Sequence, residues 1–255
     1  KYGFLWIGTE EGLNRYDGIM IKSYSICPQA AGKYISSLYG TKKNIWIGTD
    51  EGIYIYAYAT ETFTYFDLTT PNNVRITSIV NHILQDKDGN LWFSTNGQGL
   101  FRYNLSKNYL EQYEFTSAFG IVASTMADSD NQIWALTNQG ESGVYKLNKA
   151  ENKFEPFGLL YNAGNHHSQA LAMLEDSEQT LWLGTWECGL QKIDKYTRQT
   201  TTYLHPTDGK GVTHIHSLME YAPHQLLIGS DDGLLLFNTL TEEYKLFTEN
   251  EIGRA

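Results

Sequence analysis

The chain has 255 residues and carries 29 acidic against 19 basic side chains, a net charge of −10. That balance speaks against a duplex nucleic-acid binder, because few basic groups stand ready to neutralise phosphates. Charged residues at 19% against apolar ones at 41% exclude a disordered chain, and no apolar run approaches the roughly 20 residues a bilayer span needs. Eighteen Tyr and 23 Gly, without a long helical period, predict short strands joined by tight turns and exclude a helical bundle.

The first predicted strand is Leu5-Trp6-Ile7-Gly8-Thr9. Gly12 then opens a hairpin to a second strand with Leu13 and Tyr16, Asp17 begins a turn, and an exposed strand follows over 19–24. The same order returns with Ile45-Trp46-Ile47-Gly48-Thr49, Gly52, Ile53, Tyr56 and an outer strand over 62–66. The third copy has Leu91-Trp92-Phe93-Ser94-Thr95, Gly99, Leu100, Tyr103, Asn104 and an outer strand over 109–115. The fourth has Ile133-Trp134-Ala135-Leu136-Thr137, Gly143, Val144, Leu147, Asn148 and 153–157. The fifth has Leu181-Trp182-Leu183-Gly184-Thr185, Gly189, Leu190, Ile193, Asp194 and 200–203. A sixth, with Leu227 in the tryptophan slot, runs Leu226-Leu227-Ile228-Gly229-Ser230, then Gly233, Leu234, Phe237, Asn238 and 243–247.

The slot positions 6, 46, 92, 134, 182 and 227 are spaced by 40, 46, 42, 48 and 45 residues. A further strand is predicted upstream of each slot, with apolar Leu38, Leu84, Met126, Leu174 and Met219 and mostly small Ser36, His82, Ser124, Ala172 and Ser217. Its counterpart in the first copy would precede residue 1, so the sequence is expected to start inside a repeat. Four antiparallel strands per roughly 45 residues is the signature of a β-propeller blade. We therefore expect an all-β propeller over residues 1–255 as a single domain, six-bladed or part of a seven-bladed ring. The small residues suit its crowded channel, and the slot tryptophans belong to its core. Trp-Asp, kelch and leucine-rich repeats fit less well, for want of the Asp after Trp, the paired glycines and the shorter period. Two distant cysteines, Cys27 and Cys188, are expected as buried thiols rather than a disulfide.

The run from Tyr2 to Gly18, with Leu5-Trp6-Ile7-Gly8-Thr9, Gly12-Leu13 and Tyr16-Asp17, closely resembles the repeat of the two-component-regulator propeller. Asp86-Lys87-Asp88-Gly89-Asn90-Leu91-Trp92 resembles its entry turn as well. The resemblance covers essentially the whole chain. It implies the periplasmic sensor region of a Bacteroidetes hybrid two-component histidine kinase, the kinase lying elsewhere in the protein. It further implies an oligosaccharide ligand, control of glycan utilisation, and partners in further propeller and β-sandwich domains of the same protein. Six repeats rather than the family's seven are visible, and residues 249–255 are expected to begin another blade or to supply the first blade's inner strand. Two alternatives stand beside the sensor: a structural or homodimerising propeller without its own ligand, and a propeller polysaccharide lyase or glycosidase.

Family geometry places the loops between second and third strands, and those between successive blades, on one face. Candidate ligand-binding residues there are Asn96, Gln98, Asn138, Glu141, Trp186 and Glu187 from the former, and Arg75, His166, His167 and His214 from the latter. Trp186 is the most informative, because it lies outside the repeated slot, in a turn where other copies carry polar residues. An exposed indole suits the C–H face of a sugar, amides and imidazoles suit its hydroxyls, and Arg75 suits an acidic sugar's carboxylate. No catalytic motif is present, and no catalytic residue, cofactor or metal is expected. His166-His167 and His214-x-His216 lack a completing ligand, and Asp86-x-Asp88-Gly89 lacks the later Glu of a calcium loop.

Overall fold

The computed structural model describes residues 3–26, 34–115, 120–137, 143–158, 169–204, 212 and 214–247. Among them every regular element is a strand, and the strands form six antiparallel sheets in sequence order. The first has three strands, β1 (Leu5–Thr9), β2 (Gly12–Tyr16) and β3 (Ile21–Tyr24). The other five have four. They are β4 (Ile35–Gly40), β5 (Asn44–Thr49), β6 (Gly52–Ala57) and β7 (Thr62–Tyr65), then β8 (Val80–Gln85), β9 (Leu91–Thr95), β10 (Leu100–Asn104) and β11 (Tyr109–Tyr113). Next come β12 (Val122–Ala127), β13 (Ile133–Thr137), β14 (Val144–Asn148) and β15 (Lys153–Gly158). The fifth sheet is β16 (Ala170–Glu175), β17 (Leu181–Thr185), β18 (Leu190–Ile193) and β19 (Thr200–Tyr203). The last is β20 (Ile215–Ala222), β21 (Gln225–Ser230), β22 (Gly233–Asn238) and β23 (Tyr244–Phe247). The chain forms two compact units, Lys1–Thr125 and Met126–Ala255, and β12 runs across their boundary. The expected closing role of residues 249–255 lies outside the described residues.

The repeated residues have local jobs. The hydroxyl three places after the slot closes the turn between second and third strands: Thr9, Thr49, Thr95, Thr185 and Ser230 donate to the carbonyls of Gly12, Gly52, Gly99, Gly189 and Gly233 at 2.6–3.1 Å. At Gly99, φ is +77° and an added Cβ would lie 2.3 Å from the Tyr113 carbonyl oxygen, so only glycine fits. Asp17, Asn104, Asn148, Asp194 and Asn238 accept backbone N–H bonds two or three residues on, as expected of Asx turns. The Asp17 turn takes up the N–H groups of Ile19 and Met20, which is why β3 starts at Ile21 rather than 19.

Trp46, Trp92, Trp134 and Trp182 are buried. Three of them donate Nε1–H to an aspartate six residues earlier, Trp92 to Asp86 at 2.8 Å, Trp134 to Asp128 at 2.9 Å and Trp182 to Asp176 at 2.7 Å. Burying one such ring removes 150–250 Å² from water, about 4–6 kcal/mol at about 25 cal/mol/Å². The position two after the slot lies where the next sheet's first strand passes. A Cβ on Gly8 would stand 2.5 Å from Ile35, on Gly48 2.9 Å from Val80 and on Gly184 2.5 Å from Ile215. Ser94 takes that place in the third sheet and bonds Thr125 at 2.6 Å.

The first strands also carry a feature the repeat does not announce. In β4, β8, β16 and β20 the pairing register slips after the opening residue, leaving Ser36, Asn81, Leu171 and His216 as bulge residues. A bulge re-aims the side chain it frees. Ser36 thereby bonds the Val80 carbonyl at 2.8 Å and Asn81 the Val122 carbonyl at 2.9 Å, each reaching the next first strand.

Candidate functional site

Trp186 follows β17 directly, in the turn that Thr185 and Gly189 close. Its backbone N–H donates to Gln169 at 2.9 Å and its carbonyl accepts from His214 at 3.1 Å, so the turn is tied to the chain entering β16 and to the chain entering β20. The indole is 39% exposed. On one face it stacks against the His214 imidazole, with centroids 3.8 Å apart and planes at 30°. His216 approaches edge-on at 6.4 Å.

Asp231 holds both imidazoles. It stands in the turn after β21, and its two carboxylate oxygens meet His214 Nδ1 at 2.5 Å and His216 Nε2 at 2.7 Å. Because a carboxylate only accepts, each ring must carry its proton on the nitrogen facing Asp231. In the neutral rings, His214 Nε2 and His216 Nδ1 are then acceptors. The His214 bond, and next the His216 bond, hold the Asp231 carboxyl below its ordinary range, since both favour the ionised form. His214 sits at φ +48°, a left-handed conformation uncommon outside glycine, fixed here by its bond to Trp186 and its stack. The bulge brings His216 to the same carboxylate. The arrangement is an open aromatic platform beside a rigid set of polar acceptors.

The expected residues fall into two groups, one in each compact unit. Trp186, Glu187 and His214 come together at this turn, with Glu187 exposed beside the indole in sequence. In the other unit, Arg75, Asn96 and Gln98 share one loop region. The Gln98 amide is spent within it: Oε1 accepts from Thr77 and Ser78 N–H at 2.8 and 3.0 Å, and Nε2 donates to the Arg75 carbonyl at 2.9 Å. Arg75 Nε is ion-paired with Asp67 at 2.8 Å. Asn96 is exposed, its backbone N–H bonded to the Ile79 carbonyl. Asn138, Glu141, His166 and His167 lie outside the described residues, as does Cys27; Cys188 is buried as a thiol. Among the described residues no three His, Cys, Asp or Glu groups are arranged to hold a metal ion.

Asp231 was not among the sequence candidates, although a signal for it exists. The residue four places after the slot reads Glu10, Asp50, Asn96, Asn138, Trp186 and Asp231. The same turn position that makes Trp186 conspicuous therefore also marks Asp231, in the copy whose slot residue is leucine.

Residues 73–97 match the two component regulator propeller model. Along 98% of its length the chain is 25% identical to histidine kinase P4 of Formosa agariphila, and it spans 19% of that relative. It is similar to the extracellular domain described as a hybrid two component system, BT4673, from B. thetaiotaomicron, with a TM-score of 0.79 and 23% identity over 98% of this chain and 32% of the other. It is also similar to virginiamycin B lyase from Staphylococcus aureus, solved with quinupristin, with a TM-score of 0.74 and 15% identity over 96% of this chain and 80% of that one. These likenesses establish the fold, an all-β propeller of four-stranded antiparallel blades. No helix among the described residues is long and apolar enough to cross a membrane.

Proposed function

We propose that this chain is a two-component-regulator propeller, the extracytoplasmic, periplasmic sensor region of a hybrid histidine kinase, and that it binds an oligosaccharide at the Trp186 turn for control of glycan utilisation. The kinase lies elsewhere in the protein; this segment acts by binding, not by catalysis. The observation that carries the reading is the exposed Trp186 indole, stacked on His214 within the grip of Asp231. One ring face is supported by the protein, which leaves the other for a sugar's C–H face, and the imidazole acceptors suit sugar hydroxyls. The similarity to a histidine kinase and to an extracellular two-component domain supports the same assignment.

The test is a thermal-shift screen of the chain against digests of complex glycans, repeated with Trp186→Ala. A digest that raises the melting temperature of the native chain should lose its effect in the variant. Stabilisation that survives Trp186→Ala rejects the turn as the site, and silence across all digests rejects the glycan. The likeness to a lyase gives a second reading, turnover, which the same digests check: chain-dependent loss of substrate would establish it.

A further inference from the structure

Across the sheets, the residue opposite the slot tryptophan is a cation. Trp6 pairs with Arg15, Trp92 with Arg102, Trp134 with Lys146 and Trp182 with Lys192. The charged group lies 5.9, 5.6, 5.2 and 5.9 Å from the respective indole. In the first three it also approaches the last aromatic of the outer strand, at 5.8 Å for Tyr24, 5.7 Å for Tyr113 and 5.8 Å for Phe157. Each such sheet is thus a two-ring clamp closed on its own cation.

The second sheet breaks this rule. Opposite Trp46 stands Ile55. The two rings are in place, Trp46 and Phe66, 5.4 Å apart, and Tyr103 adds a third at 5.9 and 5.0 Å from them. Beside them lies a shallow, open depression of about 450 Å³, lined by Trp46, Ile55, Phe66 and Tyr103, with Asp67 and Asn108 among its polar groups. Asp67 Oδ1 is held by Arg75, and Tyr103 donates to Asn108 Oδ1 at 2.9 Å. The chain's net charge of −10 favours a positive ligand.

We propose that this depression is a binding site for a small organic cation, a guanidinium or primary ammonium on a short alkyl chain. Its head group takes the place that Arg102 and Lys146 fill in their own sheets, over Trp46 and Phe66. The site is independent of the Trp186 turn, so the two proposals stand or fall separately.

The experiment titrates the 255-residue chain with n-butylguanidinium and with its neutral isostere n-butylurea at constant ionic strength, following the Trp46 indole N–H by NMR. Butylguanidinium should shift that resonance saturably and bind at least fivefold tighter than butylurea. Ile55→Arg, which supplies the sheet with its own cation, should abolish the shift, and Ile55→Lys should do the same with a smaller change in volume. Equal binding of the two isosteres, or a Trp46 signal indifferent to both, overturns the proposal. So does undiminished binding by a folded Ile55 variant. The isostere comparison uses the native chain and does not depend on either variant folding.

Discussion

Gly184→Ala tests how the sheets of the second unit are spaced. The added methyl would lie 2.5 Å from Ile215 Cγ2 and 2.9 Å from the Ile215 carbonyl oxygen, both well inside contact distance. Ile215 is fully buried at the head of β20, so it cannot swing aside without opening the cluster of Trp182, Leu190, Leu226 and Leu235. One of the obstructing atoms is backbone, so rotamer change alone does not relieve the clash. Overpacking of this kind costs about 1–3 kcal/mol, and we expect the upper half of that range. For a chain of this length that is a fall in melting temperature of roughly 5–10 °C. Thermal and urea denaturation of the native chain, Gly184→Ala, Ile215→Ala and the double variant would measure it. The double variant should be more stable than the sum of the singles predicts, because removing Cγ2 relieves half the overlap. A melting temperature unchanged in Gly184→Ala, or strict additivity in the cycle, would refute the account of why glycine stands two residues after the slot.

Asp128→Asn should cost about 2–3 kcal/mol by chemical denaturation, since the buried carboxylate accepts from Trp134 Nε1 and from the Asp130 and Gln132 N–H groups and lies 3.7 Å from Lys195 Nζ. A loss below about 0.5 kcal/mol would show that the tryptophan bond is dispensable. His82 gives a pH dependence of defined sign. Burial holds its imidazole below the ordinary value, so the unfolded chain takes up this proton first. Its contribution is present above about pH 6.5 and is lost as pH falls from there toward the depressed folded value. His82→Asn, whose oxygen can accept the Thr125 N–H that Nδ1 now takes at 3.4 Å, should show a shallower fall in urea midpoint between pH 7 and 5. Parallel curves for variant and native chain would assign that fall to other groups.

How far the residues themselves announce this architecture depends on how far each interaction reaches along the chain. Hydroxyl, glycine and Asx positions act over two to four residues, as in Thr185 to Gly189 or Asp194 to Thr197, so their order in the sequence is already their order in space. The repeat, its strand order and the burial of Trp46, Trp92, Trp134 and Trp182 were legible for that reason, whereas Trp6 in the three-stranded first sheet is only half-buried. The Asp six residues before Trp92, Trp134 and Trp182 was equally local, and only its bond to the indole needed coordinates. The row of small residues read on the first strands was harder to interpret. The register slip that makes Ser36, Asn81 and His216 reach outward has no marker in the repeat, because it arises where a strand meets both its own sheet and the next.

The candidate site follows the same division. The sequence alone determined that Trp186 is not a core tryptophan, because it falls outside a slot that five others occupy. Tertiary structure decided its company: His214 and Asp231 are 28 and 45 residues further on, and they meet it only because two neighbouring sheets bring the same turn to the same edge. It likewise decided that the Gln98 amide braces its own loop and that Ile55 stands opposite Trp46 where other sheets place a cation. Turn chemistry is written in adjacent residues, whereas packing between sheets joins residues far apart in sequence, across loops of variable length.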